Sequence, residues 1–244
     1  MHGMKWVHAT GAATHALAVA AIVVTIGLAA PVSAQDSKGS ASPVGGDWKA
    51  KTQSEPSVAG LTLEARQVDA VKQVTAYFND FQNLKGNFVQ TDSEKKRLRG
   101  KFYVKRPGRL RFEYNLPSKQ LIISDGQQVA VQDLDIKTDD RIALDQTPFR
   151  LLLRRDVDLL RDARIIDVQE SDDLVILTMQ DKSPDAPGRI KLFMSKAPRM
   201  ELKEWVTTDS SGKDTRVEVS NLNKTDEIDV GLFKITSPKL PTQQ

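Results

Sequence analysis

The sequence predicts an α+β fold in which one highly curved antiparallel sheet carries two helical segments on its concave side. Three patterns indicate this fold. Apolar residues lie three and four positions apart between residues 61 and 84, short segments of alternating apolar and polar residues follow, and a second helical pattern near residue 150 divides those segments into two sets. Short connections such as Pro107-Gly108 and Asp125-Gly126 are typical of antiparallel strands. We therefore expect a single domain built as helix, strands, helix, strands.

The first helical pattern runs from Leu61 to Leu84 and is amphipathic. Its apolar residues share one face of a helix; they are Val68, Val71, Val74, Phe78 and Phe81. Such a face can cover an ordinary core, or it can act as a lid over a cavity, and periodicity alone leaves both roles open.

The segments with a period of two predict strands at 87–90, around residues 102–106, 110–114, 121–123 and 129–131, with a hairpin loop at 92–99. Thr147 followed by Pro148 predicts the N-cap and first residue of a helix that extends its apolar character to Leu160. Further strands are predicted at 165–168, 174–179, 190–194, 203–208, 215–220 and 233–236.

The N-terminal 60 residues are predicted to lie outside this domain. Residues 1–34 contain Lys5, an apolar run from Ala16 to Ala30 and the small residues Val32-Ser33-Ala34, which is the layout of a secretory signal peptide. Residues 35–60 are rich in Ser, Gly, Pro and Ala and predict a flexible linker. We expect the domain to span residues 61–240 and the protein to be exported to the periplasm.

The composition argues against catalysis and metal binding. The chain has no cysteine, and its three histidines, His2, His8 and His15, all lie in the predicted signal peptide. The usual general base and most transition-metal ligands are therefore missing from the predicted domain, and we expect no enzyme activity, no metal and no cofactor. A hydrolase that uses Ser and Lys is the alternative, although no serine lies in a recognisable nucleophile motif. The 35 basic and 32 acidic residues are interspersed, which favours a solvated surface over a nucleic-acid interface. We expect a monomer.

Five short segments carry a family resemblance. The longest is Gly100-Lys101-Phe102-Tyr103-Val104-Lys105-Arg106-Pro107-Gly108-Arg109-Leu110-Arg111-Phe112. The others are Phe88-Val89-Gln90, Leu121-Ile122-Ile123-Ser124-Asp125-Gly126, Thr147-Pro148-Phe149-Arg150-Leu151-Leu152, and Leu232-Phe233-Lys234-Ile235 with Pro238. In their order and spacing these segments resemble the LolA family of periplasmic carriers that ferry lipoproteins to the outer membrane. The resemblance covers residues 68–238.

The resemblance implies a half-open barrel with an apolar interior, a helical lid and an arginine that holds the lid by hydrogen bonds. By position that arginine is Arg106. It shares a predicted face with Phe102 and Val104, where a guanidinium group is costly unless it is hydrogen-bonded. Its five N–H donors suit the carbonyl groups at a helix end. We therefore expect Arg106 to latch the lid, although a position beside a turn would also let it reach water.

The resemblance also indicates which apolar residues line the cavity and which form its lid. We expect the wall to contain Phe102, Val104, Leu110, Phe112, Tyr114, Ile122 and Val131. We expect the lid to contain Val71, Val74, Phe78, Phe81, Phe149, Leu151, Leu152 and Leu153. Ordinary core packing is the alternative for each position.

The function that the resemblance implies is the transport of lipoproteins, by burial of their acyl chains, from the inner to the outer membrane. Its partners would be acylated lipoproteins or lipids, an inner-membrane transporter that releases them and an outer-membrane acceptor. The strand at Val129-Ala130-Val131 departs from the family, where aromatic residues are common. That departure keeps open a carrier of free lipid or glycolipid. A lipid-sensing regulator of the envelope-stress response, built on the same half-barrel, is a further alternative.

Overall fold

A computed structural model describes residues 63–237 of the chain. The predicted signal peptide and linker lie outside these residues. Within the described part, eleven strands form one antiparallel sheet with the order β6-β5-β4-β3-β2-β1-β11-β10-β9-β8-β7. Strands β6 and β7 are its two free edges, so the curved sheet does not close into a barrel. This confirms the predicted α+β class and the half-open architecture.

The strands are β1 (Asn83–Thr91), β2 (Arg97–Lys105), β3 (Arg109–Tyr114), β4 (Gln120–Asp125), β5 (Gln128–Asp133), β6 (Thr138–Ala143), β7 (Ala163–Glu170), β8 (Leu174–Asp181), β9 (Arg189–Ser195), β10 (Glu201–Thr208) and β11 (Asp214–Asn223). The helices are α1 (Ala65–Asn79), α2 (Arg150–Leu153) and α3 (Leu159–Asp162), with 3₁₀ turns at Leu144–Gln146 and Val230–Phe233.

The predicted first helix is too long at its C-terminal end. Helix α1 ends at Asn79, where the Asp80 N–H donates to the carbonyl of Ala76 at 2.9 Å. Phe81 lies in the connection after the helix, and Leu84 already belongs to β1. Both side chains are buried in the same interior as the helix face, so the helical spacing of apolar residues continues beyond the helix itself.

The predicted second helix is two short helices rather than one. Thr147 does not cap it, since its hydroxyl donates to the carbonyl of Leu144 at 2.8 Å within the 3₁₀ turn. Helix α2 begins at Arg150, and Asp158 caps α3 by accepting from the Arg161 N–H at 3.0 Å. The chain between the two helices is extended at Arg154, which leaves backbone carbonyls free to accept hydrogen bonds from outside the helices.

Two further elements differ from the prediction. Strand β6 has no counterpart in it, because this edge strand is polar and half exposed and therefore carries no apolar alternation. The strand predicted at 233–236 is absent. Phe233 ends a 3₁₀ turn instead, and the following backbone is fixed by the Gln132 side chain, which donates to the Thr236 carbonyl at 2.9 Å.

The core is densest where α1 covers the C-terminal half of the sheet. Gln67 fixes this helix by donating from its side-chain amide to the Val168 carbonyl of β7 at 3.2 Å. Beneath lie the inward-facing residues of β8 and β9, each with 0% exposure: Val175, Leu177, Met179, Ile190, Leu192 and Met194. The concave face of β3 to β5 is less completely covered, which places an internal space on that side.

Candidate functional site

The first internal space, here named the apolar compartment, lies between the covering helices and the concave face of the sheet. It holds about 560 Å³ of empty space, including its opening to solvent. Every lining side chain is hydrocarbon or aromatic: Phe78, Phe81, Leu84, Phe102, Val104, Leu110, Phe112, Phe149, Leu152, Leu153, Leu192, Leu202 and Trp205. A space with this lining suits alkyl chains, since the Trp205 indole N–H is the only side-chain hydrogen-bonding group among the lining residues.

A second space, here named the mixed compartment, adjoins the first. It holds about 510 Å³ on the same basis. It is lined by Gln90, Leu110, Phe112, Tyr114, Ile122, Val129, Phe149, Trp205, Thr207, Thr215 and Val217. The two compartments share Leu110, Phe112, Phe149 and Trp205. They therefore form one interior that an apolar ligand could occupy across this boundary.

Aromatic rings build the boundary between the compartments. The Phe112 ring lies 5.7 Å from Phe102, 5.0 Å from Phe88 and 6.2 Å from Trp205, measured between centroids. Gly100 leaves room for the Phe88 ring, because a Cβ at Gly100 would lie 2.6 Å from it. Trp205 escaped the sequence prediction, although its inward position in an alternating strand was the signal that could have found it.

Six of the seven predicted wall residues line one or both compartments. The exception is Val131, which packs beside the mixed compartment against the cluster formed by Leu110, Ile122 and Val129. The alternation of the strands puts these residues on the concave face.

The predicted lid residues divide into two groups. Five line the apolar compartment: Phe78, Phe81, Phe149, Leu152 and Leu153. The other three, Val71, Val74 and Leu151, are at most 1% exposed and belong to the packed core. The C-terminal end of α1 and the chain around α2 therefore face the cavity, whereas the middle of α1 is fixed in the core.

Arg106 joins the two covering segments. It follows β2, is 9% exposed, and its guanidinium donates to backbone carbonyls of both segments. At the end of α1 it donates to Phe78 and, at 3.3 Å, to Phe81. After α2 its Nε donates to the Arg154 carbonyl at 2.8 Å and its second terminal nitrogen to Arg155 at 3.0 Å. The free carbonyls of two helix ends are thus satisfied by one side chain.

Asn79 completes this network, and the sequence analysis did not identify it, because it is not among the apolar residues that mark the buried face of α1. Its side-chain oxygen accepts from Arg106 at 3.1 Å and from the Val157 N–H at 3.0 Å, while its amide donates to the Val157 carbonyl at 2.8 Å. Burial lowers the pKa of the Arg106 guanidinium, and the nearby Asp156 carboxylate opposes this change. Arg106 nevertheless remains charged, so its hydrogen bonds are charge-assisted.

A second arginine ties α2 to the sheet. The Nε of Arg150 lies 2.5 Å from one carboxylate oxygen of Asp181, and its terminal nitrogen lies 2.7 Å from the other. The Asp181 side chain is fully buried at the end of β8. This bidentate ion pair fixes the start of α2, whereas the chain after α2 is held by Arg106.

The described residues contain no cluster of three or more carboxylate, histidine or cysteine side chains placed to hold a metal ion. No helix among residues 63–237 is both long enough and apolar enough to cross a membrane.

An open, curved sheet with an apolar interior beneath helical covers defines a half-barrel protein that can shelter an apolar ligand. The family profile of outer membrane lipoprotein carrier protein LolA matches residues 79–236. The outer-membrane lipoprotein carrier protein of Neisseria gonorrhoeae is 30% identical over 75% of this chain and 88% of its own length. That of Chromobacterium violaceum is 29% identical over 74% and 89%. The chain belongs to the LolA family, as the sequence motifs predicted.

Two solved structures are also similar to the chain. A LolA superfamily protein from Nitrosomonas europaea has 10% sequence identity and a TM-score of 0.41, and the match covers 69% of this chain and 97% of that one. MucB has 12% identity and a TM-score of 0.41, with 72% of this chain and 64% of that one covered.

Proposed function

We propose that this protein carries lipoproteins from the inner to the outer membrane by burying their acyl chains in the joined compartments. The observation that carries the proposal is the apolar compartment, whose lining offers only hydrocarbon and aromatic surface. The membership of this chain in the LolA family agrees with this function. The role requires no chemical step, so the proposal is for a non-catalytic carrier.

The energetics of burial explain why such a carrier is needed. Each methylene group removed from water contributes roughly 0.8 kcal/mol, so a lipoprotein with several acyl chains does not leave a bilayer unaided. A carrier must match most of this stabilisation inside its cavity. It must also release the cargo, which requires a competitor for the same space.

The lid would be that competitor. In this proposal five lid residues fill part of the cavity when no cargo is bound and withdraw when acyl chains enter. They are Phe78, Phe81, Phe149, Leu152 and Leu153. Arg106 stabilises the closed state, because opening the cover breaks its hydrogen bonds to carbonyls on both segments. The free energy of closing therefore offsets part of the cargo's binding energy and permits release.

The cellular context of the proposal follows from the family. Residues 1–34 would direct export to the periplasm, residues 35–60 would serve as a linker, and residues 61–240 would form the carrier domain. An inner-membrane transporter would load the monomeric protein, and an outer-membrane acceptor would unload it.

The test is the variant Arg106→Leu in a transfer assay. Protein loaded with a purified lipoprotein is mixed with outer-membrane vesicles, and sedimentation measures the lipoprotein that moves. Without its latch the lid no longer competes with the cargo, so transfer should slow several-fold. Arg109→Leu is the matched control, because Arg109 lies in the same hairpin and its side chain donates no hydrogen bond to any described residue.

Transfer by Arg106→Leu at the parent rate would rule out the latch. Failure of the parent protein itself to accept any lipoprotein, while it binds free lipid, would instead overturn the proposed cargo.

A further inference from the structure

The mixed compartment contains a group of polar side chains that an acyl chain alone does not require. Four polar residues line it: Gln90 of β1, Tyr114 of β3, Thr207 of β10 and Thr215 of β11. Thr207 and Thr215 are directly paired across β10 and β11. The Tyr114 hydroxyl donates to the Gln90 side-chain oxygen at 2.6 Å, which fixes the orientation of the Gln90 amide.

This arrangement leaves hydrogen-bond donors available inside the cavity. Gln90 is only 6% exposed and Thr215 only 7%. Among residues 63–237, the Gln90 amide nitrogen and the Thr215 hydroxyl donate to no protein acceptor, and the Thr207 hydroxyl makes one long bond of 3.4 Å to the Thr215 carbonyl. Buried polar groups in folded proteins are nearly always hydrogen-bonded. Donors that line a cavity without a protein partner are therefore free to bind water in the empty cavity and the acceptor groups of a ligand in the filled one.

The charge of the lining narrows the chemistry of that ligand. None of the residues that line the mixed compartment is ionised at neutral pH; burial even raises the pKa of the Tyr114 hydroxyl, so it stays protonated. Ester and amide carbonyl groups are neutral acceptors and match amide and hydroxyl donors. The ester carbonyls of a phospholipid would match the same donors, but the phosphate group next to them would be buried without a countercharge, which is strongly unfavourable.

We propose that the mixed compartment is a subsite for the ester and amide carbonyls that join acyl chains to the terminal residue of the cargo, and that it selects these neutral linkages against phospholipid headgroups. The inference rests on the proposed carrier function. The alkyl chains pass the boundary of Phe112 and Trp205 into the apolar compartment, and the donors of Gln90 and Thr215 hold the polar linkage behind them. The cavity then has two parts with two tasks: the apolar compartment binds by hydrophobic burial, and the mixed compartment holds neutral carbonyls by hydrogen bonds while its uncharged lining disfavours a phosphate.

Three probes separate these tasks when they are titrated into the full mature chain. The first is a synthetic cysteinyl lipopeptide with three palmitoyl chains, the second is dipalmitoyl phosphatidylglycerol, and the third is the hydrocarbon fluorophore diphenylhexatriene. The variants are Gln90→Met and Thr215→Val, which preserve side-chain size and remove donors. Gln90→Met also removes the acceptor of the Tyr114 hydroxyl, whereas Thr215→Val removes a hydroxyl that bonds no described side chain. Thr178→Val is the matched control, since Thr178 is equally buried but lies between Leu177 and Met179, which face the interior.

The parent protein should bind the lipopeptide at least tenfold more tightly than phosphatidylglycerol. Gln90→Met and Thr215→Val should each weaken lipopeptide binding about fivefold, in line with the loss of one hydrogen bond. Their binding of diphenylhexatriene should change less than twofold, and Thr178→Val should bind all three probes like the parent. Circular dichroism checks folding, and Thr215→Val suffices if Gln90→Met does not fold.

Lipopeptide binding by both variants at parent affinity would overturn the subsite and leave the carrier function standing. Equal affinity of the parent for the lipopeptide and for phosphatidylglycerol would overturn the selectivity. A parent protein that binds diphenylhexatriene but no lipopeptide would overturn the carrier function and the subsite together.

Discussion

The two halves of the concave face differ in how completely they are covered. Under α1, the inward-facing residues of β8 and β9 are fully buried, as Leu177 shows with 0% exposure. On β3 to β5, Phe112, Tyr114 and Val131 are only partly buried, although they have the same inward orientation. We name these regions the packed half and the cavity half. One curved sheet thus contains both a conventional core and a space for a ligand.

The length of the covering helices explains the difference. Helix α1 has 15 residues and spans about 22 Å, whereas α2 has four and spans about 6 Å. A single turn of helix does not bury the inner faces of three strands. The cavity half is open for that reason, and its cover depends on side-chain ties such as Arg106 and Arg150 rather than on extensive packing.

On the convex face of the sheet, it is the cavity half that is covered. The segment 224–237 crosses the back of the cavity half and is attached strand by strand, with Asp226 on Lys85 of β1 at 2.5 Å and the Leu232 carbonyl on Arg111 of β3 at 2.9 Å. Phe233 is buried to 1% exposure in this segment. The cavity half is therefore supported from outside, which keeps its strands in place without filling the interior.

The largest expected effect comes from truncation in the packed half. Leu177→Ala should lower the free energy of unfolding by about 4 kcal/mol, because the cavity that it creates is enclosed on all sides. Ile122→Ala in the cavity half should cost about 2 kcal/mol, since its side chain already borders empty space. Urea denaturation of both variants measures the difference. Equal losses would show that the two halves are packed alike.

Loss of the Arg150–Asp181 ion pair, which ties α2 to β8 of the packed half, should have the next largest effect. Arg150→Met leaves the buried Asp181 carboxylate without its cation and should destabilise the protein by about 3 kcal/mol at pH 7. Arg97→Met is the control, because Arg97 forms an ion pair with Glu218 that is exposed at both ends and contributes little. Urea denaturation again provides the measurement, and a loss of less than 1 kcal/mol for Arg150→Met would mean that α2 is held by other contacts.

Acid should have the smallest effect, and it should act on α3, which packs against α1 and β7 and is tied to the end of α2 through Arg154. The Arg161 guanidinium, with Arg154, holds the pKa of the Asp162 carboxyl below its usual range, although burial opposes this. A depressed pKa in the folded state stabilises the fold above the unfolded pKa of about 3.9, and this contribution is lost as the pH falls through the folded value. Stability should therefore decline by up to about 1 kcal/mol from pH 5 to pH 3 through this group.

Asp162→Asn provides the comparison for the acid effect. The variant lacks the titrating group, so its unfolding free energy should fall less steeply over the same pH range. Parallel pH profiles of the parent and the variant would assign the acid sensitivity to other carboxylates.

The sequence carries more information about the sheet than about its cover. Strand alternation gives the face of each residue directly, and in the structure Phe102 and Phe112 both line the apolar compartment. The helical spacing of α1 gives one apolar face but not what lies beneath each part of it. Val74 and Phe78 share that face, yet only Phe78 reaches the cavity, because the packing of the whole domain decides where the helix passes from core to cavity.

Polar residues with interior roles were the hardest to predict. Asn79 lies outside the apolar stripe of α1. Gln90 and Thr215 lie on the same strand faces as Phe88 and Val217, but a search for apolar residues does not select them. Their partners are distant in the chain: Asn79 is bonded to Val157, 78 residues away. Only Arg106 was foreseen, because a family resemblance pointed to it and because its position on an apolar face was conspicuous.

Native mass spectrometry of the protein purified from the periplasm tests the central claim most directly, namely that the cavity half holds the acyl chains of lipoproteins. The account predicts a complex whose excess mass, on dissociation, is an acylated polypeptide. A complex with phospholipid as its bound molecule, or a protein that carries nothing while lipoproteins are being exported, would contradict the account.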